Sequence, residues 1–182
     1  MGDPGSYTDT SPAGHFDMSR SSPARIYDYF LGGKDNFGVD RDAAAQIEAR
    51  LPNVKVMMRA NRAFLGRAVQ VLADECGIRQ FIDIGSGLPA QDNVHEIAQE
   101  VDSDARVVYV DNDPIVLSHG RAFFATNERT QVLTADLRDP DFILRHPKLR
   151  ELIDLDEPSG TSLSAPSWKA ADGKRPWRPM PG

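Results

Sequence analysis

Two short apolar runs, each with a carboxylate at or near its carboxyl end, constrain the fold of this chain more than any other feature. The first run, residues 80–84, contains Asp83 and leads into a Gly-Ser-Gly turn; the second, residues 107–110, is followed by Asp111. Both runs are short, rich in β-branched residues and bounded by turn residues, as is typical of strands buried on both faces of a parallel sheet. Since parallel strands end at the same edge of a sheet, the two carboxylates are predicted to share one crevice.

The turn after the first run consists of Gly85, Ser86 and Gly87. Glycine lets the backbone turn sharply and approach a ligand that any Cβ would push away. Asp111 lies at the end of the next strand, where a carboxylate can accept hydrogen bonds from both hydroxyls of a ribose. The ligand is therefore expected to carry a ribose with a free 2′-OH.

Two classes of cofactor use this geometry. Residues 85–90 match the loose dinucleotide pattern G-x-G-x-x-G/A, so a nicotinamide or flavin dinucleotide stays open. Asp83, two residues before the first glycine, would lie at the mouth of the crevice near the pyrophosphate of a dinucleotide, where like charges repel. S-adenosylmethionine (SAM) has no phosphate and presents an ammonium and a sulfonium. An acidic mouth therefore favours SAM.

A third strand is predicted at residues 131–135, with Asp136 at its carboxyl end. There an acidic side chain can reach the amino group of an adenine. The alternative is that Asp136 is a turn or cap residue, because Asp139 and Pro140 follow and are typical of a helix N-terminus. Both interpretations remain open on the sequence.

Strand and helix patterns alternate from residue 79 onward, with helices predicted at residues 93–101, 114–124 and 142–145. This alternation predicts right-handed parallel crossovers and a three-layer α/β fold. Three more helices, at residues 24–31, 40–51 and 54–75, precede the first strand and are expected to cap the crevice. Their aromatic residues either shape a substrate pocket or form the core of the cap; these residues are Tyr27, Tyr29, Phe30 and Phe37.

These motifs together resemble a known family. Residues 83–87 and 110–111 resemble the first two motifs of class I SAM-dependent methyltransferases, and residues 135–137 resemble the third. More narrowly, residues 23–37 (PARIYDYFLGGKDNF) are similar to the opening of a family of SAM-dependent methyltransferases abundant in actinobacteria. Segments 59–65, 87–96 and 109–114 continue the similarity, which covers about residues 21–158.

The resemblance implies a Rossmann-like, doubly wound parallel sheet, SAM as the cofactor and methyl transfer to a small-molecule acceptor. It implies that Asp111 holds the ribose, Asp83 the methionine ammonium, and the backbone of residues 85–87 the methionine portion, with Asp136 near adenine. Displacement at a sulfonium depends chiefly on positioning, so no catalytic residue is predicted. The implied cofactor-binding residues are Asp83, Gly85, Ser86, Gly87, Asp111, Asn112, Asp136 and Leu137.

Residues 158–182 break the pattern. They contain five Pro, three Gly and four Ser, with Leu163 as the only branched aliphatic side chain, so they are predicted to be disordered. Family members usually continue past Pro158 with an apolar fourth strand, and the resemblance therefore implies a truncated sheet. The strand at residues 80–84 would then be an exposed edge, open to association with another chain.

The predicted organisation is a disordered tail (1–20), a helical cap (21–77), a truncated Rossmann-like SAM-binding domain (78–157) and a second disordered tail (158–182). The net charge of −6 and the 40% hydrophobic content are typical of soluble enzymes and argue against nucleic-acid binding. Cys76 stands alone, and the four histidines lack partners at metal-ligand spacing, so neither a disulfide nor a metal site is predicted. No membrane-length apolar run or leader occurs, which predicts a cytoplasmic location.

Three functions stay open on this sequence. The favoured one is a SAM-dependent methyltransferase, and the predicted truncation leaves its activity undecided. The second is a non-catalytic fragment that binds SAM weakly or pairs with another chain through its sheet edge. The third is an NAD(P)-dependent oxidoreductase, based on the glycine pattern alone.

Overall fold

A computed structural model describes residues 18–90, 92–123 and 127–163 of the chain. In this part, helices and strands alternate after three leading helices as predicted up to residue 145, and a further helix and strand follow that were not predicted. The elements in chain order are α1 (Pro23–Leu31), α2 (Gly38–Arg50), α3 (Val54–Asp74), β1 (Gln80–Ile84), α4 (Val94–Val101), β2 (Arg106–Asp111), α5 (Pro114–Phe123), β3 (Thr130–Thr134), α6 (Pro140–Arg145), α7 (Pro147–Leu152) and β4 (Gly160–Leu163).

The four strands form one parallel sheet in the order β3-β2-β1-β4. Alternate residues of each strand point to opposite faces of the sheet, and helices pack against the side chains on both faces. Phe81 and Tyr109 pack under α3, α4 and α5, whereas Ile82 and Val108 pack against the α6–α7 side. The predicted α/β fold with a doubly wound parallel sheet is confirmed. The strand order reverses at β1, which is where such sheets bind ligands.

The predicted loss of the fourth strand is wrong. Residues 160–163 form β4, which runs parallel to β1 from the Phe81–Gly160 pair to the Ile84–Leu163 pair. Gly160 permits this close approach, since a Cβ there would lie 2.6 Å from Cδ1 of Phe81. The small polar residues of β4 gave no strand signal in the sequence. A short edge strand can form without such a signal because its neighbour supplies the hydrogen bonds.

The segment that leads into β4 is fixed by one buried side chain of β1. Gln80 donates to the carbonyl of Asp154 at 2.6 Å and accepts from its amide at 3.0 Å. The predicted disorder is therefore wrong for residues 158–163, and β4 rather than β1 is the edge strand of the described sheet. The remaining parts of the two predicted tails, residues 1–17 and 164–182, lie outside the described residues.

Helices α1, α2 and α3 form the predicted cap around a small core of their own. Phe30 is fully buried there with Ile26, Ala44 and Val54, whereas Phe37 is 42% exposed and lies outside this core. A buried ion pair joins α1 to α2, with Nε of Arg25 2.7 Å from Oδ2 of Asp40. None of the described helices is long and apolar enough to cross a membrane.

Candidate cofactor-binding site

The turn after β1 has the sharp backbone geometry that the sequence predicts. Gly85 and Gly87 adopt φ angles of 71° and 69°, in the left-handed region that favours glycine. The amide of Gly85 donates to the carbonyl of Val110 at 2.7 Å, which ties the turn to the end of β2. A Cβ at Gly87 would meet nothing within 4 Å, so the turn leaves open space above it.

Asp111 lies directly beside this turn and is 3% exposed. Its Oδ2 accepts from the amide of Gly87 at 3.0 Å, and its Oδ1 accepts from the amide of Asp113 at 2.9 Å. A carboxylate offers about four acceptor positions, so holding these amides is compatible with receiving ribose hydroxyls. The structure thus brings together the glycine turn and the carboxylate predicted to share one crevice.

The helical cap closes over this crevice. Ala24 of α1 packs against Leu88 of the turn and Val116 of α5. The hydroxyl of Ser22 donates to Oδ2 of Asp113 at 2.7 Å, and Oδ1 of the same Asp113 accepts from the amide of Ile115 at the start of α5. Helix α1 therefore covers the carboxyl ends of β1 and β2.

Asp83 is 1% exposed and lies inside the sheet, not at the open mouth where it was expected. Its Oδ1 accepts from the hydroxyl of Ser162 on β4 at 2.7 Å. The neighbouring Tyr109 bonds through its hydroxyl to the amide and to Nδ1 of His95, and burial raises the pKa of Tyr109 well above its usual value of 10.0. Ser162 was missed because it belongs to the tail in which no strand was predicted.

Asp136 forms a local turn with Arg138. Its Oδ1 accepts from the amide of Arg138 at 2.9 Å, and hydrogen bonds from the guanidinium and amide of Arg138 hold the pKa of Asp136 well below its usual value. Asn112 donates to the same carboxylate at 3.4 Å, and Leu137 beside it is 42% exposed. The turn interpretation is thus correct, Asp139 caps α6 as predicted, and contact with adenine stays a prediction.

The polar groups of the crevice fit SAM. The buried hydroxyls of Ser86 and Thr134 have no hydrogen-bond partner within the described part of the chain, and Thr134 pairs with Asp111 in the sheet register. Two such hydroxyls on either side of Asp111 suit a ligand rich in hydroxyls and amino groups. Of the three predicted carboxylates, Asp83 is buried against Ser162, Asp136 pairs with Arg138, and Asp111 lies directly beside the glycine turn. A carboxylate beside the turn suits an ammonium and a sulfonium better than phosphates. Among the described residues, no His, Cys, Asp or Glu cluster could hold a metal ion.

Comparison with known proteins agrees with these features. A candidate methyltransferase from Thermobifida fusca is 50% identical, with a TM-score of 0.78, over 84% of this chain and 57% of that chain. A DUF574 family protein from Streptomyces avermitilis is 47% identical, with a TM-score of 0.76, over 81% of this chain and 57% of that chain. The chain thus spans 57% of the length of each. No curated protein matches the sequence.

A family model described as S-adenosyl methyltransferase matches residues 9–178. The match therefore extends beyond Pro158, where the similarity was expected to end. SAM is the cofactor that this family uses. The glycine turn, the acidic crevice and the strand order agree with that match, and the chain belongs to the S-adenosyl methyltransferase family.

Proposed function

We propose that this chain binds SAM in the crevice at the ends of β1 and β2 and transfers its methyl group to a small-molecule acceptor. The hydrogen bond between the amide of Gly87 and Oδ2 of Asp111 carries the proposal, because it joins the glycine turn and the ribose-binding carboxylate in one site. The family match and the strand order support it.

When bound, SAM would supply a methyl group activated by its sulfonium. The acceptor's lone pair would form the new bond to the methyl carbon, and the electron pair of the broken carbon–sulfur bond would stay on sulfur. The residues of the chain act by positioning. Asp111 accepts hydrogen bonds from the ribose, and Asp83, oriented by Ser162, attracts the ammonium. Helix α1 excludes water from the ends of the strands. The proton that the acceptor loses passes to solvent.

Calorimetric titration of the purified chain with S-adenosylhomocysteine, and separately with NAD⁺, tests this function. We expect saturable binding of S-adenosylhomocysteine and none of NAD⁺, because the acidic crevice disfavours a pyrophosphate. Binding of NAD⁺ alone would favour the oxidoreductase. A folded chain that binds neither compound would contradict the proposal, and methyl transfer to acceptor mixtures would then not be expected.

We also propose that the chain associates with a second copy through the edge of β4. Among the described strands, β4 pairs only with β1, and a groove of about 250 Å³ runs between β4 and α3. Phe64 and Leu163 on this groove are 62% and 63% exposed. Unprotected apolar edges of this kind promote pairing between chains.

A charge at this edge is expected to prevent the association. We predict that Leu163→Lys shifts the chain toward the monomer in sedimentation velocity, because an edge lysine opposes strand pairing. Leu144→Lys is the matched control, since Leu144 is 41% exposed on α6, away from β4. A wild type that is monomeric at all concentrations, or an equal effect of both variants, would refute the proposal.

A further inference from the structure

A cavity of about 1000 Å³ lies beside the cofactor crevice. Its walls are the turn between α1 and α2, one face of α3, the segment Pro89–Ala90, and α4. None of the eight predicted cofactor-binding residues lines it, so it is a separate space. Its size suits a small-molecule ligand. Because Pro89 and Ala90 follow the glycine turn after one intervening residue, Leu88, the cavity borders the part of the crevice expected to hold the methionine portion of SAM.

Two of the cations that line this cavity, Arg59 and Lys34, lie near the turn between α1 and α2. Arg59 lies on α3 with its Nη2 3.8 Å from where a Cβ of Gly32 would be, and Lys34 lies two residues beyond Gly32. Within the described ranges, neither Arg59 nor Lys34 makes a hydrogen bond or an ion pair. A guanidinium presents paired donors that match the geometry of a carboxylate or a phosphate.

Four carboxylates line the cavity, and two of them, Asp28 on α1 and Asp35 in the turn between α1 and α2, lie in the same region as Lys34. Asp28 is buried, and its Oδ2 already accepts from the amide of Asp35 at 3.0 Å and from the side chain of Asn36 at 2.8 Å. Asp92 and Glu100 line the cavity from the α4 side. Since these carboxylates repel an anion, the wall formed by Arg59 is the favourable one for it.

We propose that this cavity binds the methyl acceptor, and that the acceptor is a small molecule with a carboxylate or phosphate group held by Arg59 and Lys34. The inference rests on the proposed function, because only a bound SAM beside the cavity makes its ligand an acceptor. The charged group anchors the molecule at the far wall, and its nucleophilic atom is directed toward the glycine turn.

The test is an NMR titration of the full chain saturated with S-adenosylhomocysteine, using benzoate, phenyl phosphate and neutral benzamide as probes. We expect an anionic probe to shift the amides of Gly32, Gly33 and Gly66, which line the cavity, and to bind about tenfold tighter than benzamide. Arg59→Gln and, independently, Lys34→Gln remove that preference. Arg145→Gln removes a positive charge from the exposed helix α6, and this control variant is expected to retain the preference for an anionic probe.

A preference for benzoate assigns a carboxylate and a preference for phenyl phosphate assigns a phosphate, and both results support the proposal. Equal binding of all three probes, or shifts elsewhere in the chain, overturns it. The proposal is also overturned if Arg59→Gln weakens S-adenosylhomocysteine but not methylthioadenosine, which lacks the amino-acid portion, because Arg59 would then hold the cofactor's carboxylate. Failure of the wild type to bind S-adenosylhomocysteine instead overturns the proposed function, and the acceptor role with it.

Discussion

The Asp111→Ala variant is expected to bind S-adenosylhomocysteine about 100-fold more weakly than the wild type. In the proposed binding mode, the substitution removes two hydrogen bonds from ribose hydroxyls to a charged acceptor, each contributing at least about 1.5 kcal/mol. It also removes the acceptor for the amide of Gly87, so the turn loses its link to the end of β2. The measurement is calorimetric titration of both proteins under the same conditions.

Two further variants separate the loss of the ribose contact from loss of the fold. Asp111→Asn has the same shape and keeps one side-chain oxygen, so we expect an intermediate affinity. Asp141→Ala removes the same charge from an exposed position on α6 and should bind as the wild type does. An Asp111→Ala variant that is folded and binds within threefold of the wild type would show that the crevice does not hold the ribose as proposed.

The Asp40→Ala variant is expected to lose about 3–5 kcal/mol of unfolding free energy, the typical cost of removing one partner of a buried ion pair. Arg25 is 1% exposed and Asp40 fully buried, so the substitution leaves a guanidinium in the protein interior. It also removes the acceptors for the amides of Ser22 and Phe37, at 2.9 Å each. Urea denaturation followed by circular dichroism measures the difference.

An exposed ion pair provides the comparison for this variant. Asp141 and Arg145 are 3.2 Å apart with side chains more than 70% exposed, so Asp141→Ala should cost less than about 1 kcal/mol. If the two substitutions have equal effects, the ion pair between Arg25 and Asp40 does not hold α1 and α2 together.

The carboxylate of Asp40 also makes the stability of the fold depend on pH. Burial by itself raises the pKa of Asp40, but hydrogen bonds from Arg25 and from the amides of Phe37 and Ser22 outweigh it and lower the pKa below its usual 3.8. A carboxylate whose pKa is lower in the folded state than in the unfolded state stabilises the fold at pH values above its unfolded-state pKa. This contribution is lost as the pH falls through the pKa of the folded state. We therefore expect the difference in unfolding free energy between wild type and Asp40→Ala to be largest at neutral pH and to shrink below about pH 4.

Much of the fold could be predicted because its signals are local. Strands β1, β2 and β3 are short β-branched runs between turn residues, and α6 carries its own cap, Asp139. Gly85 and Gly87 indicated their own left-handed geometry, because glycine adopts it at little cost. These signals were sufficient for the parallel α/β sheet, and together with Asp111 they gave the place of the crevice.

Strand β4 shows where local signals end. Its sequence, Gly-Thr-Ser-Leu, has weak strand propensity. The segment pairs with the hydrogen-bonding groups of β1, and because Gly160 has no Cβ it can lie close to Phe81. The strand in turn brings Ser162 to Asp83, 79 positions away in the chain. No periodicity could indicate that contact.

The sequence by itself thus determined the order of strands and helices from α1 to α6, the glycine turn and the acidic residues near it, since each depends on neighbouring residues. The tertiary structure alone decided that Asp83 is buried against Ser162 of β4 and that Arg59 and Lys34 line one cavity. The physical reason is that burial and pairing depend on which elements pack together. That packing is set by the whole core, whereas propensity, turn geometry and capping are set within a few residues.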